Sequence, residues 1–233
     1  MIQQEDNQEV PLIQENGASL KKIYLIRHGQ STFNAAYHAN GQKDPYLFDA
    51  RLTELGEQQA NGLAKIVDES LTDIELIVSS PLSRALDTTR RGFSNLISQK
   101  NIKTVVIPYH AETVKTSDDN GRPKSMVQKE FLDFDLSHIE ERWWYLPTEI
   151  KSDFTIDTEE YFKTIGYQEP QESILKRIAI FKEWLLQREE NCIAVVGHSD
   201  YFYNLFDGKL PNFKNCQVLE WHINTNQTKF LTS

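Results

Sequence analysis

An arginine, a histidine and a glycine stand together where an apolar run stops: Ile23-Tyr24-Leu25-Ile26 leads directly into Arg27-His28-Gly29. The three residue types suit one chemical task. Arg27 supplies a planar, permanently charged fork that matches the oxygens of an oxyanion such as phosphate. His28 supplies a ring nitrogen able to act as nucleophile or base near neutral pH. Gly29 lacks a Cβ and lets another group approach the backbone closely. The triplet is therefore equipped to hold an oxyanion and attack it.

Similar groups recur downstream. Ser79-Ser80-Pro81 follows Leu76-Ile77-Val78 and is followed in turn by Arg84. His110 and Glu112 follow Val105-Val106-Ile107, and Gly197-His198-Ser199 follows Ile193-Ala194-Val195-Val196. Each preceding run is short and rich in β-branched residues, as expected of a buried strand. Ligands of open α/β sheets bind beyond the carboxyl ends of the strands. If these runs lie parallel in one sheet, two arginines, two or three histidines and a carboxylate converge on one edge.

Elements that could position these residues are legible around them. Val218-Leu219-Glu220-Trp221 reads as a further strand, and the unbroken apolar run at 193–196 as a central one covered on both faces. Thr53 is a plausible N-cap before Glu54, and Ser80-Pro81 fits a cap followed by a first-turn proline. Residues 172–188 form the strongest helical pattern, with Ile174, Ile178, Phe181 and Leu185 on one face. Strands alternating with helices predict a three-layer α/β/α fold with a mostly parallel central sheet. The stretch from about 113 to 170 breaks the alternation. It is too long and too aromatic (Phe131, Phe134, Trp143, Trp144, Tyr145) for a simple connection and reads as an inserted lid. Residues 1–20 read as a flexible polar tail, leaving 21–233 as a single catalytic domain.

Composition narrows the function classes. The chain has 233 residues, 39% hydrophobic and 25% charged, and a formal net charge of −9. That charge disfavours a nucleic-acid surface and supplies no polybasic membrane patch. Two cysteines, Cys192 and Cys216, do not suggest a disulfide framework. With no signal-peptide pattern, membrane-length apolar run or lipidation motif in the sequence, a cytoplasmic location is expected.

In combination, RHGQSTFN at 27–34, SSPLSRALDT at 79–88, Glu112 after a third strand and VVGHSD at 195–200 resemble the histidine phosphatase superfamily, which includes cofactor-dependent phosphoglycerate mutases and many phosphatases. The resemblance runs from about Lys21 to Trp221. It implies that His28 is the nucleophile and forms a phosphohistidine. His198 would stabilise the transferring phosphoryl group, Arg27 and Arg84 would bind its oxygens, and Glu112 would protonate the leaving oxygen and then help activate water. Ser31 and Asn34 match polar positions that line the phosphate pocket, although both could simply cap a helix. No metal or other cofactor is required, since the arginines and histidines provide the charge.

The resulting expectation is a metal-independent phosphomonoester hydrolase acting on a phosphorylated small molecule or a phosphoprotein. A mutase-type phosphotransferase and a non-catalytic phospho-ligand-binding protein are the alternatives. The residues after Glu112, TVKTSDDNGRPKS, lack the Tyr-Gly segment rich in basic contacts that is typical of the mutases. Asp118 and Asp119, ahead of Asn120-Gly121, read as a turn. Trp143-Trp144-Tyr145 reads as lid core. His38, His138 and His222 read as incidental, and His110 as either supporting the site or ending a strand.

Overall fold

The computed structural model describes residues 21–232; the expected tail at 1–20 lies outside them. Six strands form one sheet: β1 Lys22–Arg27, β2 Leu76–Ser79, β3 Lys103–Val106, β4 Cys192–Gly197, β5 Val218–His222 and β6 Gln227–Phe230. Their order is β3-β2-β4-β1-β5-β6. The first four are mutually parallel, while β5 runs antiparallel to both β1 and β6. Helices α1 Thr32–Ala39, α2 Glu54–Ser70, α3 Ser83–Gly92, α4 Ser94–Ser98, α5 Lys124–Glu130, α6 Thr148–Lys151, α7 Thr158–Thr164, α8 Gln171–Gln187 and α9 Ser199–Leu205 complete the described elements.

The period-2 alternation of each strand builds the layers. Ile23 and Leu25 of β1, with Ile193 and Val195 of β4, pack against Ile174, Ile178, Phe181 and Leu185 of α8 and Tyr201 and Phe202 of α9. Tyr24, Ile26, Ala194 and Val196 face the other way, onto Leu63 and Val67 of α2, Ala85 of α3 and Leu96 of α4. This is the expected three-layer arrangement. Thr53 caps α2 by accepting from the Gly56 amide, as its position suggests.

Three local expectations need adjustment. Strand β3 begins at Lys103, before the apolar run, because it is a sheet edge with one exposed flank. Strand β6 gave no apolar signal for the same reason: Gln227 and Lys229 are exposed at the opposite edge. Helix α3 begins at Ser83 instead of following Ser80 directly. The buried carboxylate of Asp49 accepts from both the backbone amide of Ser83, at 2.8 Å, and its hydroxyl, at 2.5 Å, so the helix is capped from a distant loop.

The 113–170 stretch contains α5, α6 and α7. Its Val127, Phe131, Phe134, Trp143, Trp144 and Ile150 form a buried cluster together with Leu82 and Leu86 at α3 and Val106 of β3. Trp143 and Trp144 are thus core residues. Arg142 is buried, and its guanidinium donates to the carbonyls of Ile150, Asp153 and Ile156, gathering a segment that has little regular structure of its own.

Candidate active site

Strand register brings the two histidines together. Arg27 of β1 pairs with Gly197 of β4, so the next residue on each strand, His28 and His198, emerges beyond the same edge. Their rings lie 5.1 Å apart. Ser79 of β2 pairs with Val196, which sets Ser80 beside His198, where the Ser80 Oγ lies 2.8 Å from Nε2. Ser80 therefore contacts a histidine of the site instead of capping α3.

The environment of His28 selects its tautomer. Nδ1 lies 2.7 Å from the Gly29 carbonyl, which can only accept, and Nε2 lies 3.2 Å from Arg84 Nε, which can only donate. The proton therefore belongs on Nδ1 and the lone pair on Nε2. Burial, with Arg84 and Arg27 nearby, holds the ring well below the usual histidine range, so it is neutral at physiological pH. His198 is likewise held neutral, by burial and then by Arg84 and His28. Its Nδ1 and the Arg27 Nε are both buried without a hydrogen-bond partner among the described residues.

Gly29 has a structural use. A Cβ there would lie 2.5 Å from the Gly56 carbonyl oxygen, and one on Gly56 would lie 2.1 Å from that of Gln30. The close approach expected at Gly29 is thus made by the first turn of α2. The Gly29 amide also donates to Thr88 Oγ1 at 3.0 Å and the Gln30 amide to Gln59 at 2.8 Å, so the loop that carries His28 is clasped between α2 and α3.

Glu112 reaches the same edge by a different route. After a 3₁₀ turn at Pro108–His110, its carboxylate accepts from the amides of Thr113, Asp200 and Tyr201 at 2.8, 3.1 and 2.7 Å. Arg177 of α8 donates to the carbonyls of Tyr109 and Ala111, both at 2.9 Å, and pairs with buried Glu169 at 2.7 Å. Burial and repulsion from Asp200 and Asp119 push the Glu112 carboxyl up to about 8. It can therefore carry a proton at neutral pH.

Arg84 is buried, with an acidic turn across its fork. The 3₁₀ turn Ser117–Asp119 offers it the Asp118 carbonyl, the Asp118 carboxylate at 3.5 Å and the Asp119 carboxylate at 3.3 Å. Asp44 holds the turn from outside through the Ser117 amide and hydroxyl, at 2.8 and 2.6 Å. Burial and the neighbouring Asp119 push Asp118 upward, to about 8.

These groups line an open cleft of about 520 Å³ that includes Arg27, His28, Asn34, Arg84, Glu112 and Asp119. His198 is fully buried, its ring 5.1 Å from that of His28. Ser31 is also fully buried and lies off the lining: its Oγ caps α1 by accepting from the Asn34 amide, and the Asn34 side chain returns the bond to the Ser31 amide. Asn34 thus belongs both to this cap and to the cleft wall. His38 is on the wall too, whereas His110 is buried against Phe181 and bonded to the Val196 carbonyl. Among the described residues, no group of three or more His, Cys, Asp or Glu is arranged to hold a metal.

Residues 23–104 match the model of the histidine phosphatase superfamily (branch 1). A phosphoglycerate mutase-like protein of Arabidopsis thaliana is 30% identical over 206 residues, covering 79% of this chain and 73% of that one. The chain belongs to the histidine phosphatase superfamily. A "Probable phosphatase" of Schizosaccharomyces pombe is 32% identical over 122 residues, 52% of this chain, and the match spans about half of that relative, 54%. Among solved structures, phosphoserine phosphatase from Entamoeba histolytica, in complex with 3-phosphoglyceric acid, superposes with a TM-score of 0.52 at 19% identity, covering 91% of this chain and 95% of that one. That likeness concerns the fold.

Within this superfamily fold, several contributors were not evident in the sequence. Ser80 read as a helix cap, and the 117–119 turn was expected but its grip on Arg84 was not. Arg177, Glu169 and Asp44 gave no signal, because each acts through a contact between residues far apart in the chain.

Proposed function

We propose that the chain is a phosphomonoester hydrolase that works through a phosphohistidine on His28. The observation that carries this reading is the tautomer of His28: Nδ1 is tied to the Gly29 carbonyl, leaving the Nε2 lone pair beside the Arg84 guanidinium on the cleft. Nε2 attacks phosphorus while the bond to the ester oxygen breaks. Arg27, Arg84 and His198 stabilise charge on the non-bridging oxygens, which is the larger part of catalysis in phosphoryl transfer. Glu112, protonated, gives its proton to the departing alkoxide. As carboxylate it then takes a proton from water, which attacks the phosphohistidine; the P–N bond breaks and inorganic phosphate leaves. Splitting the displacement in this way lets one side chain serve as acid and then base.

In this reading the substrate is a phosphorylated small molecule or a phosphoprotein, the 113–170 segment is the lid over the cleft, and Asn34 helps to line the phosphate site. No helix among the described residues is long and apolar enough to cross a membrane; a cytoplasmic location is part of the proposal. The mechanism is tested by rapid denaturing quench at alkaline pH with ³²P-labelled substrate. Alkali-stable, acid-labile label on His28 is expected. Turnover with no enzyme-bound phosphate at any time would sink the covalent route.

A further inference from the structure

The charges on the cleft wall are unevenly matched. Its arginines and lysine are Arg27, Arg84 and Lys115; its carboxylates are Glu112, Asp118, Asp119 and Asp200. Arg27 and Arg84 flank His28, where the phosphoryl oxygens would sit. Arg84 already carries Asp118 and Asp119 on its fork. Lys115, the one lysine on the wall, lies 2.7 Å from the Asp200 carboxylate. Beyond the phosphoryl position, therefore, no arginine or lysine of the described wall is left without a carboxylate partner. The remaining surface is neutral, with the hydrogen-bonding side chains of Tyr37, Gln168 and Asn212 beside Phe33. His38 is also on the wall.

A leaving alcohol bearing a carboxylate or a second phosphate would meet these acids with no cation to neutralise it. The alternative is to displace Asp200 from Lys115, which leaves that acid unpaired. Like charges within several ångströms at a partly buried site disfavour binding by roughly tenfold or more. A hydroxyl or an ammonium on the leaving alcohol would instead find acceptors.

We propose that Asp118, Asp119 and Asp200 determine specificity by charge: the cleft accepts phosphate monoesters whose leaving alcohol carries no negative charge and discriminates against anionic ones. The inference rests on the phosphohydrolase reading above. It concerns the part of the cleft that holds the alcohol, and discrimination here works by repulsion as much as by attraction.

The decisive comparison is between sn-glycerol 1-phosphate and 3-phospho-D-glycerate, which share their configuration at the middle carbon and differ only in a terminal hydroxymethyl against a carboxylate. Assays are run at pH 8, and p-nitrophenyl phosphate serves as the reference. A kcat/KM at least roughly tenfold higher for the glycerol ester is expected. Asp200→Asn, which frees the Lys115 ammonium, is expected to narrow the ratio several-fold by improving 3-phosphoglycerate relative to the reference. Asp118→Asn, which keeps the backbone contact to Arg84, is the second variant and should narrow it in the same direction. Turnover of p-nitrophenyl phosphate with a ratio of one or below overturns the proposal, as does a ratio that neither variant moves. No turnover of any of the three esters overturns the phosphohydrolase reading, and the selectivity falls with it.

Discussion

His28 and His198 reach the site by backbone pairing, whereas Glu112 and the Asp118–Asp119 turn reach it by side-chain hooks. The register of β1 against β4 leaves the two imidazoles little freedom, since they are the next residues beyond a paired Arg27 and Gly197. Glu112 and the acidic turn depend on Arg177, Glu169 and Asp44, which reach in from α8 and two loops. A ladder of hydrogen bonds places residues cooperatively and tolerates changes in individual side chains. A hook is a few side-chain contacts made by one residue, and losing that residue loosens what it held. The half of the site that holds His28 and His198 is therefore expected to be robust, and the half that holds Glu112 and the acidic turn adjustable.

The largest effect expected is on the backbone-placed half. His28→Ala should lower phosphatase kcat by roughly 10⁴–10⁶-fold with little change in melting temperature, because the β1–β4 ladder does not need the ring. A collapse in melting temperature would show that the imidazole itself holds the edge together. Glu112→Gln should cost roughly 10²–10⁴-fold on alkyl phosphates and much less on aryl phosphates, whose leaving groups need no proton. With the Glu112 carboxyl raised to about 8, the acid form is present below that value and kcat is lost as pH rises through it. Glu112→Gln should erase this basic limb, and an unchanged limb would assign it to another group.

Hook residues give intermediate effects. Glu169→Gln breaks a buried pair with Arg177 and should destabilise the fold by about 3 kcal/mol. It should also lower kcat on alkyl phosphates several-fold, through Glu112. In a double-mutant cycle with Glu112→Gln the activity losses should be strongly non-additive; simple additivity would mean that the hook does not position the acid. The smallest effect is on stability against pH. Burial foremost holds His28, His198 and His110 neutral, His110 down to about 3. The unfolded chain takes up protons at these rings below about 6.5 while the folded chain does not. Their neutral burial is therefore without penalty above 6.5, and stability falls progressively as pH drops below it. A melting temperature that stays flat between pH 7.5 and 5 would contradict this.

The same division explains what could be read from the chain. Strand ends carrying Arg27-His28 and Gly197-His198 were legible because apolar runs mark buried parallel strands, and such strands deliver the residues that follow them to one edge. Helix α8 was legible because its spacing repeats on one face. Glu112 was singled out by its place after the third strand, but its role needed the family resemblance, since the segment around it has no period. Ser80 was misread because the sequence shows a serine before a proline but not the imidazole that takes its hydroxyl. The edge strand β6 and the Asp49 cap of α3 were invisible for related reasons, one having no apolar face and the other acting across 34 positions of sequence.

The aromatic cluster of the 113–170 segment has a consequence for engineering and for descent. Leu82 and Leu86 at α3, the helix that carries Arg84, are packed into it. The segment is thus not a detachable module. Exchanging it for that of another superfamily member would leave two leucines close to Arg84 facing a foreign surface, so a working chimera has to carry α3 along with the segment. Over evolutionary time, changes in the 113–170 segment and in this helix should be inherited together.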